Sequence, residues 1–259
     1  MDLGIKGRTA LVCASTKGLG HACAESLAGE GVNLVINGRV DEVVHAIAAA
    51  LRDRYDVEVE GVAADLNTAE GREILLRSCP DPDIVVTNNA GPSPASFTDV
   101  TETEWLAALN ANMLSAIGIV QHVVKGMQER RFGRIVNITS AMVKSPHFFM
   151  TPSVGARAGL TGVMKALSRE VAKDNVTVNN LLPERIDTER QRQMAELAVS
   201  IKGITIDEAY ADIAATIPAG RLGAPNEVGD VCAFLCAAQS GYLTGQNIQI
   251  DGGAYEGIV

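Results

Sequence analysis

The segment "CASTKGLGHA", residues 13–22, carries residues suited to binding a phosphate group. Gly18 and Gly20 stand where a strand-like run passes into a helix-like one. Glycine lets the backbone come close to a ligand, and a helix N-terminus offers unpaired N–H groups and the positive end of its dipole to an anion. The alternative is a simple turn, but the position after a first strand favours a pyrophosphate site.

The end of the second strand-like run, "LVINGRVDEV", bears on which dinucleotide is bound. An Asp or Glu at this point would bind the free ribose 2′-hydroxyl of NAD. Asn37, Gly38 and Arg39 stand there instead. Arg39 can pair with a 2′-phosphate, and Lys17 supplies a second positive charge nearby. We therefore expect NADP(H) rather than NAD(H), the alternative for Arg39 being a solvated surface charge.

Two further strand ends carry polar residues. Asp65 closes "GVAAD" and is placed to receive the adenine amino group, while "NNAG", Asn88 to Gly91, closes the fourth strand-like run. Asparagine side chains lock neighbouring backbone, and the small Ala90 and Gly91 leave room for a flat cofactor.

These residues need a sheet to position them, and the chain predicts one. Nearly apolar runs such as "RTALVCAS", "DIVVTNNAG" and "GRIVNITS" alternate with helix-length segments such as "DEVVHAIAAALRDRY". This alternation indicates βαβ crossovers and a parallel sheet covered on both faces. We predict a single-domain, Rossmann-type, doubly wound α/β fold over residues 1–259. The charged segment at about 184–218 shows little strand signal, and we expect it to form a helical lid over a substrate.

Composition excludes several classes of function. The 259 residues carry a formal net charge of -9, which argues against nucleic-acid binding. The apolar runs are too short or too interrupted to cross a bilayer. The five cysteines form no CxxC pair, and Cys232 and Cys236 have no histidine close in sequence, so we expect buried thiols, no metal and a cytoplasmic location.

Taken together, the glycine-rich turn, "NNAG", "GRIVNITS", "VTVNNLLP" and the terminal "YLTGQNIQIDGG" resemble the short-chain dehydrogenase/reductase family. Within it the sequence is most similar to members labelled 3-oxoacyl-carrier-protein reductase. The resemblance implies a nicotinamide cofactor, a homotetramer or homodimer, and interconversion of an alcohol and a carbonyl. It also implies that Thr188 holds the nicotinamide carboxamide. Further cofactor contacts are implied at Ser15, Leu19, Leu66, Asn89, Ala90 and Arg157.

The chain departs from the family pattern at several positions. Cys13 and Ala14 replace the Thr and first Gly of TGxxxGxG, and Pro183-Glu184 replaces Pro-Gly after the sixth strand. Of the family's catalytic Asn, Ser, Tyr and Lys, the first two fall on Asn112 and Ser140. The other two, normally YxxxK, fall on Ser153 and Arg157, and no tyrosine lies between Tyr55 and Tyr210.

The two substitutions differ in their consequences. Arg157 keeps a positive charge that can bind the nicotinamide ribose, but a guanidinium does not relay protons. The pKa of the Ser153 alkyl hydroxyl cannot readily be lowered as that of a phenol can. Ser140 can still donate to a carbonyl or a developing oxyanion. His147 is an alternative proton donor or simply an exposed loop histidine, and Phe148, Phe149 and Met150 either form a pocket wall or pack the subunit.

Three functions follow as alternatives. The first is an NADP(H)-dependent oxidoreductase acting on a carbonyl or an activated C=C bond. In the case of a C=C bond, the proton can reach carbon from solvent. The second is a catalytically silent dinucleotide-binding sensor or subunit. The third is a non-redox lyase-type enzyme.

Overall fold

Seven parallel strands form one sheet in the computed structural model, which describes residues 1–258. They are β1 (Thr9–Val12), β2 (Asn33–Gly38), β3 (Val59–Ala63), β4 (Ile84–Thr87), β5 (Gly133–Ile138), β6 (Val176–Pro183) and β7 (Asn247–Ile250). Their order is β3-β2-β1-β4-β5-β6-β7. The chain thus winds in one direction from β1 to β3 and in the other from β4 to β7, which confirms the predicted doubly wound fold.

Helices connect the strands and cover both faces of the sheet. They are α1 (Gly18–Gly29), α2 (Asp41–Tyr55), α3 (Ala69–Ser78), α4 (Glu102–Leu109), α5 (Ser115–Arg130), α6 (Thr151–Val171), α7 (Glu189–Lys202), α8 (Ile206–Ala215) and α9 (Pro225–Cys236). Leu11 packs in the core cluster with α3, α5 and α6, whereas its neighbour Val12 packs in the cluster with α1, α2 and α9. Successive strand residues point to opposite faces, so a sheet buried on both sides needs the apolar runs seen in the sequence.

Helices α4 and α5 join through one π-helical turn, Asn110–Leu114, into a continuous helix over Glu102–Arg130. By length and composition this helix is apolar enough to cross a membrane, contrary to the expectation that no segment reaches that limit. Ile119, Val123 and Met127 on it are buried in the core beside the sheet. Their apolar character is thus explained by packing within the domain.

The segment 184–218 contains α7 and α8. Thr188 accepts a hydrogen bond from the Gln191 N–H at the start of α7, and Thr205 forms a capping box with Glu208 at the start of α8. Gly203, with φ of 69°, ends α7 in the left-handed conformation. Because α7 follows the carboxyl end of β6 closely, it lies beside the edge of the sheet where ligands bind in such folds.

Candidate active site

A cleft of about 1070 Å³ opens at the carboxyl ends of the strands. Residues that follow β1 to β6 line it, together with one side of α7. Most residues selected from the sequence are among them: Lys17, Gly18, Leu19, Arg39, Asp65, Leu66, Asn89, Ala90, Gly91, Ser140, Ser153, Arg157 and Thr188. Ser15, Gly20 and Asn112 lie outside this lining.

The turn between β1 and α1 presents backbone N–H groups to the cleft. Lys17 is the N-cap of α1, and no side chain caps this helix N-terminus. Gly18 has φ of 60°, and Ala14 has φ of 45°, which is unusual for a residue with a Cβ. A Cβ on Gly20 would overlap the carbonyl oxygen of Ala14, so only glycine lets α1 approach the turn this closely. Uncapped N–H groups beside close-packed backbone fit a pyrophosphate.

Buried hydrogen bonds hold this turn in place. Oδ1 of Asn37 accepts from the Ala14 N–H at 3.2 Å, while Nδ2 of Asn37 donates to the carbonyl oxygens of Val62 and Ala64 at 3.2 and 3.0 Å. Ser15 is fully buried, and its Oγ donates to Val12 O at 2.7 Å and accepts from Asn37 N–H at 3.0 Å. The Ser15 side chain therefore braces the turn from beneath, away from the cleft in which we expected it.

The far end of the cleft, beyond β2 and β3, carries the groups selected for the adenosine half of a cofactor. Arg39 and Lys17 are both exposed, and neither has a carboxylate partner among residues 1–258. Asp65 is exposed as well, and one of its oxygens accepts from the Asn67 N–H at 3.0 Å. Two unneutralised cations, Lys17 at the start of α1 and Arg39 just after β2, suit a 2′-phosphate, since no acid ends β2.

Asparagines fix the loop after β4. Nδ2 of Asn88 donates to Ala14 O at 3.3 Å, and Oδ1 of Asn89 accepts from the Ala90 N–H at 2.8 Å. Asn112, in the π-helical turn, donates from Nδ2 to Ala90 O at 3.2 Å. These bonds tie the loop to the first turn and to the long helix, so the cleft wall at Ala90 and Gly91 is rigid.

Behind that wall lies a second cavity of about 10 Å³, lined by polar groups that include Asn88, Asn112 and Arg157. Oδ1 of Asn112 is buried and has no hydrogen-bond partner within the described chain. A cavity of this size accommodates one water molecule, which could donate a hydrogen bond to the Asn112 oxygen.

Ser153 and Arg157 lie one turn apart on α6, where their side chains contact each other. Nε of Arg157 donates to Oγ of Ser153 at 3.2 Å, and Nη1 donates to the carbonyl oxygens of Ile138 and Thr139 at 2.9 and 3.1 Å. Removal from water, together with the charge of Arg190, lowers the pKa of Arg157 to about 10. The guanidinium is thus held against the end of β5 next to Ser140, with Nη2 left for a ligand.

Comparison with known proteins agrees with this geometry. Residues 13–255 match the family model described as enoyl-(acyl carrier protein) reductase. The chain belongs to the short-chain dehydrogenase/reductase family. It is 31% identical to the 3-oxoacyl-[acyl-carrier-protein] reductase FabG of Aquifex aeolicus, over 98% of this chain and 100% of that protein. It is 30% identical to the NADPH-dependent reductase BacG of Bacillus subtilis, over 97% and 99% of the two chains.

The fold is shared with solved members of the family. L-sorbose reductase from Gluconobacter frateurii, solved in complex with NADPH and L-sorbose, superposes with a TM-score of 0.94 at 28% identity and full coverage of both chains. The seven-stranded sheet of this short-chain dehydrogenase/reductase is therefore the family fold. These three relatives are named as reductases, and two of them are NADPH-dependent or were solved with NADPH.

This family member has no phenol in its cleft. Among residues 1–258, none of the four tyrosines lines it, and Tyr210 instead donates to Asp187 at 3.4 Å on the exposed side of α8. Oγ of Ser140 accepts from the Met142 N–H at 3.2 Å, which leaves its own proton for a substrate oxygen. His147, Phe149 and Met150 line the cleft, whereas Phe148 lies outside it and is 69% exposed.

The turn after β6 also departs from the family pattern. Glu184 and Arg185 both face the cleft and pair with each other at 3.8 Å, and Arg185 has a left-handed φ of 54°. Where the family has glycine, this chain therefore places charged side chains beside the site.

Two parts of the site were not predicted from the sequence. Asn37 stands where NAD-binding proteins have an acid, and in the structure its side chain holds the first turn in place. Met194, Leu197 and Ile201 on α7 form an apolar wall of the cleft. Their spacing of three and four residues is the signal that would have revealed this wall.

Proposed function

We propose that this protein is an NADP(H)-dependent oxidoreductase that reduces a carbonyl group, or an activated C=C bond, at an atypical active site. The observation that carries the proposal is the cleft itself, which joins a phosphate-binding helix end, two free cations and the Ser140–Arg157 region in one continuous space. The bound nicotinamide would supply the hydride. The NADPH-dependent relatives support this choice of cofactor.

Each end of the cleft has a distinct role in this proposal. The N–H groups at Gly18 and Leu19 would bind the pyrophosphate, Lys17 and Arg39 the 2′-phosphate, and Asp65 the adenine amino group. Thr188 would bind the carboxamide group of the nicotinamide. Helix α7 would cover the bound substrate and provide the wall nearest the reacting groups, whereas no residue of α8 lines the cleft.

At the reacting end, Ser140 would orient the substrate by donating to its oxygen and would stabilise negative charge that develops there. Ser153 accepts from Nε of Arg157. Its alkyl hydroxyl would contribute at most a hydrogen bond, because the pKa of such a group cannot readily be lowered as that of a phenol can. The absence of a phenol favours reduction of an activated C=C bond, since carbon can then be protonated from solvent. For a carbonyl, His147 is the candidate donor.

A second candidate is a dinucleotide-binding protein without turnover. The specific observation in its favour is that Arg157 bonds to the chain itself, through Ser153 and two β5 carbonyl groups. A lyase-type reaction in the same cleft would likewise proceed without net oxidation of the cofactor.

The deciding experiment titrates NADPH and NADH by fluorescence and then measures NADPH oxidation with ketones, enones and 3-oxoacyl thioesters. We expect tight NADPH binding and oxidation with at least one class, with faster rates for enones than for matched ketones. Ser140→Ala should retain NADPH binding and lose turnover. Tight binding without oxidation across the whole panel would overturn the proposal in favour of the second candidate.

A further inference from the structure

The cleft is positively charged although the protein is acidic. Six basic side chains and three acidic ones line it, in a chain with a formal net charge of -9. Arg185 and Lys202 have carboxylate partners at 3.8 and 3.0 Å. Lys17 and Arg39 are at the cofactor end. Arg157 and Arg190 therefore remain, and neither forms an ion pair among residues 1–258.

These two arginines both lie close to one short segment of the cleft wall. A methyl group placed on Gly91 would lie 3.7 Å from Nη2 of Arg157. Nη2 of Arg190 donates to the carbonyl oxygen of the next residue, Pro92, at 2.8 Å. The two are close enough for the Arg190 charge to lower the pKa of Arg157. Two like charges held together without a counter-ion destabilise each other, so a bound anion would relieve the repulsion.

The residue next to Arg190 carries a donor without a partner. Gln191, next to Arg190 on α7, is only 8% exposed, lines the cleft, and has a buried Nε2 with no partner in the described chain. A buried amide without an acceptor costs free energy unless a ligand supplies one. The cleft's own carboxylates do not fill this role, since Glu184 pairs with Arg185, Glu189 is exposed and Asp65 is at the β3 end.

From this arrangement we infer that the substrate carries a carboxylate, bound between Arg157 and Arg190 with Gln191 as a further donor. The position suits a substrate group better than a cofactor phosphate. Arg157 is held at the end of β5, whereas Arg39 follows β2, which lies three strands away in the sheet. At about 4.8 Å per strand spacing, the two cationic positions are roughly 14 Å apart.

The first test compares substrates that differ only in this charge, and it rests on the proposed oxidoreductase function. Levulinate and acetylacrylate are measured beside their methyl esters with the full-length protein and saturating NADPH. We expect kcat/KM to favour the acids by about tenfold or more, the usual effect of a charge-assisted hydrogen bond. Arg190→Gln should lower the acid-over-ester ratio of kcat/KM about tenfold. Arg192→Gln removes the same charge from α7 outside the cleft and is the matched control. This variant should keep the preference for the acids over the esters.

A second measurement needs no turnover, so it separates failure of the inference from failure of the proposed function. Succinate and dimethyl succinate are titrated into the NADPH complex by calorimetry. We expect succinate to bind more tightly than dimethyl succinate. Arg190→Gln should weaken succinate binding about tenfold, even if no compound on the panel is reduced. If dimethyl succinate binds as tightly as succinate, the inference of a carboxylate site is overturned. Loss of NADPH affinity in Arg190→Gln, with succinate unaffected, would also overturn it by assigning the arginine to a cofactor phosphate.

Discussion

Nε of Arg157 donates a hydrogen bond to Oγ of Ser153 across 3.2 Å. The two residues at the family's Tyr and Lys positions are therefore partners of each other. Ser153 is 4% exposed, and Nη1 of Arg157 is taken up by the carbonyl oxygens of Ile138 and Thr139. This arrangement makes the pair a fixed positive charge rather than a proton relay, because guanidinium stays protonated at working pH.

Ser153→Ala should change kcat by less than about twofold and leave the pH profile of turnover in place. The reason is that the pKa of an alkyl hydroxyl is too high for it to act as the general acid, a role worth about 10²–10⁴-fold. Steady-state kinetics on the best substrate of the panel measures this. As the comparison, Ser140→Ala should lower kcat by about 10²–10³-fold, the usual loss for one oxyanion donor. A hundredfold loss in Ser153→Ala with a shifted pH optimum would instead make Ser153 the proton donor.

Arg39→Gln should raise the dissociation constant of NADPH by about tenfold or more and leave that of NADH nearly unchanged. The reason is that a hydrogen bond to a charged group is worth about 1.5–3 kcal/mol, and only NADPH carries the 2′-phosphate. Fluorescence titration of both cofactors measures the two constants. Arg77→Gln, an exposed change on α3 that removes the same charge, serves as the control. Equal weakening of both cofactors would remove Arg39 from the phosphate site.

Ala14→Gly should stabilise the protein. Ala14 has φ of 45°, and the left-handed conformation costs a residue with a Cβ roughly 1–2 kcal/mol. Glycine's extra freedom in the unfolded chain offsets part of this, so we expect a net gain of about 0.5–1 kcal/mol. Urea unfolding measures the change. A loss of stability would show that the Ala14 methyl contributes packing worth more than the strain.

Glu227→Gln should lower the unfolding temperature at neutral pH. Glu227 accepts from Nη1 and Nη2 of Arg221 and from the Ala224 N–H, each at 2.7 Å, and these bonds lower its pKa from 4.5 to about 2. Because the folded pKa lies below the unfolded one, the contribution is complete above about pH 4.5 and is lost as the pH falls towards 2.

Thermal unfolding of the wild-type protein and of Glu227→Gln, measured between pH 7 and pH 3, tests this prediction. The difference between their unfolding temperatures should narrow in the acid range. Glu129→Gln removes a carboxylate that lies 3.9 Å from Lys125 on an exposed face, and it should change the unfolding temperature less at every pH. A gap that is constant down to pH 3 would show that the Glu227 charge does not contribute.

Much of the site was predictable because its signals are local. The uncapped helix start at Gly18, the "NNAG" loop and the cations Lys17 and Arg39 depend on residue type at strand ends, and the parallel sheet brings those ends to one edge. The continuous helix Glu102–Arg130 was not predicted, because the π-helical turn that joins α4 to α5 is a backbone feature that the apolar pattern does not specify.

The sequence by itself determined the alternation of strands and helices, the family, and the replacement of tyrosine and lysine by Ser153 and Arg157. These follow from periodicity and position along the chain. Only the tertiary structure decided that Ser15 is buried under the turn, that Asn37 clamps it, and that Arg157 and Arg190 meet at Gly91–Pro92. The physical reason is that these contacts join residues tens of positions apart, so they depend on strand order and on side-chain direction across the cleft, which local pattern does not specify.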